Sequence, residues 1–280
     1  MKDTYSLSNS SLEGFMSCAR AYNWGSLQGY KSAGSSHKMD RGTMVHHFLE
    51  KYYKLRMGSK QNTDLFLQAS RYAQEKMLLE KLAVTDEEAK FVLDIMNDYC
   101  KVYEQDTWVP IQVEGKFSIL LHDGDNYQIL YEGRIDLMSQ VPQSGNTVVV
   151  IDHKTTERVE STHSHNMQLM GYALATGKNI VVINEINLTK GCKSAERFKR
   201  YTKAYSKKQL AEFQQWLTYW AIRAVESERE NHFPPSYSSC KYCRFENICS
   251  NEESAREFRL DLNFVKKPKF DLFAEKKDES

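Results

Sequence analysis

Asp152-His153-Lys154 closes the apolar run Val148-Val149-Val150-Ile151, sixteen residues after Asp136 of Gly133-Arg134-Ile135-Asp136. Val148 to Lys154 reads as a strand, short and β-branched, preceded by the turn-like Pro142-Gln143-Ser144-Gly145-Asn146. Residues two apart on a strand share a face, so Asp152 and Lys154 leave the sheet side by side. Asp136, near the end of the preceding strand, meets them if the two strands pair as a meander. Two carboxylates and an ammonium converging at a strand end can bind a hard divalent cation and hold a lysine beside it. Metal-assisted phosphodiester hydrolysis needs that arrangement. A D-x-K triplet alone is also common as a solvated strand end, so the surrounding residues decide.

Two further features fall in register with it. Gln168 and Tyr172 are four apart in a helical stretch and share one helix face. Upstream, Arg41-Gly42-Thr43-Met44-Val45-His46 puts a histidine at the start of another apolar-periodic helix. The ordered set His46, Gly133-x-x-Asp136, Asp152-x-Lys154 and Gln168-x-x-x-Tyr172 resembles the RecB-like branch of the PD-(D/E)XK nuclease superfamily. The opening Leu7-Ser8-Asn9-Ser10-Ser11-Leu12 through Phe15-x-x-Cys18 is similar to the start of that family, and Cys240-x-x-Cys243 with Cys249 is similar to its end. The resemblance is greatest to the subset carrying an iron–sulfur cluster, the CRISPR-associated RecB-like exonucleases and the nuclease domains of AddB-type helicase–nucleases.

The resemblance implies roles. Asp136 and Asp152 would ligate Mg²⁺ or Mn²⁺, and His46 would complete the metal site. Lys154 would orient or activate the attacking water and stabilise charge on the transition state. Gln168 and Tyr172 would position the lysine, the nucleophile or a phosphate. Glu114 lies where relatives often carry an acidic residue, and a solvated edge-strand charge is the competing reading.

The six cysteines are Cys18, Cys100, Cys192, Cys240, Cys243 and Cys249. With no signal peptide or long apolar span, a reducing cytoplasm and no membrane are expected, so a disulfide framework is not the default. C-x₂-C-x₅-C needs one more ligand for a closed four-thiolate site. On the family pattern Cys18 supplies it and the cofactor is a 4Fe–4S cluster, with Cys100 and Cys192 as packed thiols. Zinc would satisfy the same four sulfurs.

Formal net charge is +1, so the overall balance does not announce a nucleic-acid partner. The distribution says more. Lys190, Lys193, Arg197, Lys199, Arg200, Lys203, Lys207 and Lys208 are interrupted by one acid, Glu196, with Tyr201 and Tyr205 interleaved. Such a stretch suits phosphates and stacked bases, and Lys199, Arg200, Tyr201 and Lys203 are its expected DNA contacts. The competing reading is a solvated loop and helix start.

At 280 residues, 41% hydrophobic and 27% charged, the chain can bury one sizeable core with added helices. The patterning predicts a helix from Ser8 or Asn9 to about 24, a loop over 29–38, and helices near 41–57, 62–82 and 85–106. Strands follow at 111–121 and 127–139, flanking a hairpin turn, then at 148–154. A helix near 163–176 leads to a strand at 179–188, which a right-handed crossover would set parallel to its neighbour. An amphipathic helix covers 206–230. The expected class is α/β, a small mixed sheet flanked by helices, with a helical N-terminal cap and a cysteine-rich C-terminal segment; the resemblance implies a restriction-endonuclease-like core. The expected segments are 1–110 (helical, contributing His46 and Cys18), 111–235 (nuclease core), 236–262 (cysteine-rich) and 263–280 (polar tail). In that tail Phe270, Leu272 and Phe273 are similar to the short peptide that docks bacterial replication and repair proteins on the sliding clamp; packing on the chain's own body is the bland reading. The expected function is a metal-dependent nuclease, an exonuclease on single-stranded DNA serving recombination, repair or spacer acquisition. The alternative is a non-catalytic DNA-binding module that keeps the nuclease fold.

Overall fold

The computed structural model describes residues 2–32, 37–58, 64–156 and 166–267. Strand β1 (Asp3–Leu7) leads into helix α1 (Asn9–Ser17). Ser8 caps α1 with a box in which its hydroxyl and that of Ser11 each take the other's backbone N–H. The expected continuous helix to residue 24 is interrupted. Cys18 is extended, with φ −164° and ψ 114°, before α2 (Ala19–Tyr22) and a π-helical turn over Asn23–Leu27. The break turns the first cysteine of the family pattern out of the helix. Strand β2 (Tyr30–Ser32) follows.

Three helices come next, α3 (His37–Gly58), α4 (Leu65–Leu79) and α5 (Asp86–Val102). Thr85 and Glu88 form a second capping box at the start of α5, whose first turn carries Asp86, Glu87 and Glu88 in accord with the helix dipole. The hairpin is as expected: β3 (Val109–Asp123) and β4 (Tyr127–Val141) close through Gly124, whose N–H donates to the Tyr127 carbonyl. Past Gly145 and Asn146, both at positive φ, β5 (Thr147–Thr156) pairs antiparallel with β4. Helix α6 (Met167–Thr176) then returns the chain to β6 (Ile180–Asn187), which pairs parallel with β5. A short α7 (Ser194–Arg197) precedes β7 (Phe198–Ala204), antiparallel to β6. That strand was not expected from the basic stretch. The chain continues through α8 (Lys207–Arg229), α9 (Glu246–Cys249), α10 (Glu253–Asn263) and β8 (Phe264–Lys266), which pairs with β2. Hydrogen bonds order the main sheet β1-β4-β5-β6-β7, with β3 also on β4. This is a mixed α/β architecture with helices packed on a central mixed sheet.

Two compact units are built from interleaved stretches of chain. One comprises Met1–Gly34, Lys116–Gly133 and Ala211–Ser280; the other comprises Ser35–Gly115 and Arg134–Leu210. In the second, Phe48, Leu49, Met96 and Tyr99 of α3 and α5 bury against Leu137, Ile151 and Val182 of β4, β5 and β6. Each such side chain contributes about 2 kcal/mol by leaving water. In the first, Trp24, Tyr30, Phe245, Ile248 and Leu260 form a small aromatic core, with Cys243 and Cys249 packed against it. No helix among the described residues is long and apolar enough to cross a membrane.

Candidate active site

The backbone of β5 sets the site. Its ladder with β4 runs from Val141↔Thr147 to Leu137↔Ile151. At the next position the Asp136 carboxylate accepts the N–H of His153 at 2.8 Å. Asp136 and Asp152 therefore stand opposite each other where the two strands part. Asp152 is buried, 1% exposed, and the Asp136 side chain is 15% exposed. Burial is the main cause that pushes both carboxyls up, to about 6; for Asp152 the neighbouring Asp136 adds to it, and Lys154 opposes it.

Lys154 lies two residues on and on the same face. Its ammonium forms an ion pair with Asp152 Oδ2 at 3.1 Å. It also donates to Gln168 Oε1 at 2.7 Å, and Gln168 Nε2 donates to the Tyr172 hydroxyl at 2.7 Å. The i, i+4 spacing on α6 makes this relay possible. Lys154 remains 39% exposed, so its charge stands where the buried carboxylates open to solvent.

Helix α3 brings His46 to the carboxylates. Gly42 permits the approach, since a Cβ there would sit 2.7 Å from the Thr155 hydroxyl at the end of β5. One turn later His46 Nδ1 is 3.8 Å from Asp136 Oδ2. Burial holds the imidazole below its ordinary value, although Asp152 and Glu114 pull the other way, so it is a neutral nitrogen donor near pH 7. Glu114 joins the group too. Its φ of +53° makes a bulge-like kink in β3, and its carboxylate takes a bond from Arg134 at 3.3 Å. Burial, then Asp136 and Glu50, raise its carboxyl. On this edge strand the Glu114 side chain is 18% exposed and paired with Arg134, so it is not a fully solvated charge.

Glu50 was missed in the sequence. It is four residues after His46 on α3, a spacing that could have revealed it. Burial alone would push it up, but bonds from His47 and from Lys54 at 2.6 Å outweigh that and hold it near 2.

The basic stretch divides by strand alternation. Register sets Ile183 beside both Asp152 and Tyr201, and Glu185 beside both Lys154 and Lys199. Lys199, Tyr201 and Lys203 therefore share the sheet face of Asp152 and Lys154. Arg200 points the other way. Only 16% exposed, its guanidinium pairs with Asp106 at 2.7 Å and lies over the rings of Tyr103 and Trp108 at 4.1 and 4.4 Å. Arg200 is thus corrected from a DNA contact to a buried structural cation. Arg197 is also turned inward, bonding the carbonyls of Asn187 and Cys192.

Within the other unit, Cys18, Cys240, Cys243 and Cys249 line one small, mainly apolar pocket with Trp24 and Phe245. Cys18 Sγ accepts the Ser236 N–H and Cys249 Sγ accepts from Arg20 Nη1, both at 3.3 Å. Burial raises the Cys243 thiol, and the other three sulfurs add to the shift. Among the described residues, no group of three or more His, Cys, Asp or Glu side chains is closed tightly enough to hold a metal ion. The donor chemistry nonetheless fits: two adjoining carboxylates and a neutral imidazole suit a hard divalent ion, and four thiols on one pocket suit a thiolate-bound centre.

The fold is similar to that of an exonuclease-class structure from Eubacterium rectale, with a TM-score of 0.54, 13% identity, and 89% of each chain covered. An alkaline exonuclease from Laribacter hongkongensis gives a TM-score of 0.33 and 8% identity, over 68% of this chain and 97% of that one. No curated protein matches the chain. The sequence itself matches the PD-(D/E)XK nuclease superfamily over residues 6–250, the span holding His46, the paired aspartates, Lys154 and the four cysteines; the chain belongs to that superfamily.

Proposed function

We propose that this chain is a Mg²⁺- or Mn²⁺-dependent DNA nuclease, acting as an exonuclease on single-stranded DNA in recombination, repair or spacer acquisition. The observation that carries the reading is the convergence of two carboxylates, Asp136 and Asp152, where β4 and β5 part, with burial raising both and Lys154 as the one ammonium beside them among the described residues. A divalent cation would offset the negative charge that the single ammonium leaves. Asp136, Asp152 and His46 would hold it, with Glu114 adjoining. Bound there, the ion supplies Lewis-acid polarisation of the phosphate and a more acidic attacking water. Lys154, steered by Gln168 and Tyr172, would place its ammonium beside the reacting phosphate and stabilise the charge that develops there. Lys199 and Lys203 extend the catalytic face toward neighbouring phosphates, and Tyr201 between them offers a ring for an unpaired base. That alternation supports a single strand as substrate.

The test is a cleavage time course on end-labelled single- and double-stranded DNA, with Mg²⁺, Mn²⁺ or EDTA and with Lys154→Ala alongside. Metal-dependent loss of label by the wild type alone supports the reading, and comparison of the two label positions gives the polarity. A folded protein that binds DNA without cutting it would instead be the binding module.

The same proposal includes a 4Fe–4S cluster on Cys18, Cys240, Cys243 and Cys249, supported by the shared pocket of their four thiols. Iron and sulfide content with absorbance near 400 nm distinguishes it from zinc. Phe270, Leu272 and Phe273 lie outside the described residues. Their docking on a sliding clamp is tested by a pull-down with residues 269–280 deleted, which should lose the clamp and keep cleavage.

A further inference from the structure

The middle residue of Asp152-His153-Lys154 faces away from the carboxylates, into the core. His153 is 3% exposed. Its ring stacks on Tyr53, with centroids 5.6 Å apart and an interplanar angle of 11°. Asn184 Nδ2 lies 2.9 Å from His153 Nδ1 and donates to the Tyr99 hydroxyl at 2.9 Å. That hydroxyl is 2.6 Å from the Tyr53 hydroxyl. Three buried side chains from α3, α5 and β6 thus close a ring of contacts with the one imidazole of β5. A buried polar network of this kind fixes one geometry, because any slippage leaves a polar atom without its partner.

The same residue touches the site from three sides. Its N–H donates to Asp136. Its ring meets the His46 ring edge-on, with centroids 6.2 Å apart. Its chain neighbours are Asp152 and Lys154. The amide is available to Asp136 because the β4–β5 ladder stops at Leu137↔Ile151.

We propose that His153 is the positioning residue of the metal site: anchored by Tyr53, Tyr99 and Asn184, it aims its amide at Asp136 and holds His46 and Asp152 in mutual register. The inference rests on the metal-dependent reading above. Partners that orient metal ligands typically change metal affinity or activity by 10–100-fold when removed.

The experiment is Mn²⁺ titration calorimetry on wild type, His153→Leu, His153→Phe and Asn184→Leu, with thermal melts and DNA cleavage across a Mn²⁺ series. His153→Leu should weaken Mn²⁺ binding roughly 10–100-fold. His153→Phe, which keeps the stack on Tyr53 and the edge contact to His46, should recover part of that loss. Excess Mn²⁺ should restore cleavage by His153→Leu, with KM for DNA unchanged. Wild-type Mn²⁺ affinity in His153→Leu would overturn the inference, as would losses that merely track melting temperature across the set. If His153→Leu does not fold, His153→Phe against Asn184→Leu makes the same comparison, and equal wild-type affinity in both overturns it. A wild type that binds no Mn²⁺ would overturn the metal reading itself, and this inference with it.

Discussion

At the residue scale, the site is a contest between burial and charge. Asp136 and Asp152 are held where neither is comfortable as an anion, and Lys154 offsets the cost only in part. Lys154→Ala should lower the cleavage rate roughly a thousandfold while the protein still binds DNA, because one stabilising charge at the phosphate is lost. Single-turnover kinetics and a filter-binding isotherm check the two halves of that statement. The raised carboxyls also carry a stability signature. A carboxyl whose folded value lies above its unfolded one destabilises the fold when ionised. That cost is present above about pH 6, shrinks as pH falls through the folded values, and is gone below the ordinary carboxylate value. In EDTA, wild type should therefore gain on the order of 2 kcal/mol between pH 8 and pH 4 relative to Asp152→Asn. Urea melts at the two pH values measure it, and parallel behaviour of the two proteins would contradict it.

At the element scale, β7 shows how one basic run serves two purposes. Strand alternation gives Lys199, Tyr201 and Lys203 to the catalytic face and turns Arg200 into the helical side. Arg200→Ala should cost about 3 kcal/mol of stability, because it strands Asp106, and should leave the salt dependence of DNA binding unchanged. Lys199→Ala with Lys203→Ala should do the reverse. The melting point should hold, while the slope of log affinity against log salt falls by about 1.4, roughly 0.7 for each phosphate contact on a single strand. Denaturant melts and binding isotherms at several salt concentrations separate the two classes. Helix α3 makes the same point differently. Its exposed-looking charges include Glu50, which His47 and Lys54 hold ionised one turn from His46.

At the scale of the whole molecule, chain order and spatial order part company. Each compact unit is assembled from stretches far apart in sequence, and the four cysteines come from the first helices and the last third of the chain. A centre bound to all four would close a very long loop, and metal binding of that kind contributes folding free energy. Cys243→Ser should abolish the absorbance near 400 nm, remove bound iron and lower the melting temperature. Cys100→Ser and Cys192→Ser should leave the iron content intact. Elemental analysis and absorbance of anaerobically purified protein decide between these outcomes.

What the sequence by itself determined is local and periodic. The D-x-K strand, the hairpin at Gly124, the cap at Ser8, and the pairing of Gln168 with Tyr172 are set by nearest neighbours and by periods of 2 and 3.6 residues. The parallel return of β6 followed from the handedness of crossovers. Tertiary structure decided whatever depends on a partner distant in the chain. Arg200 reads as a solvated charge until Asp106, Tyr103 and Trp108 surround it. Glu114 reads as an edge-strand charge until a positive φ and Arg134 turn it toward Asp136. His153 reads as the neutral spacer of a motif, and only Tyr53, Tyr99 and Asn184 make it an anchor. Burial and long-range pairing are properties of the assembled core, so periodicity can announce where a catalytic side chain stands but not what holds it there.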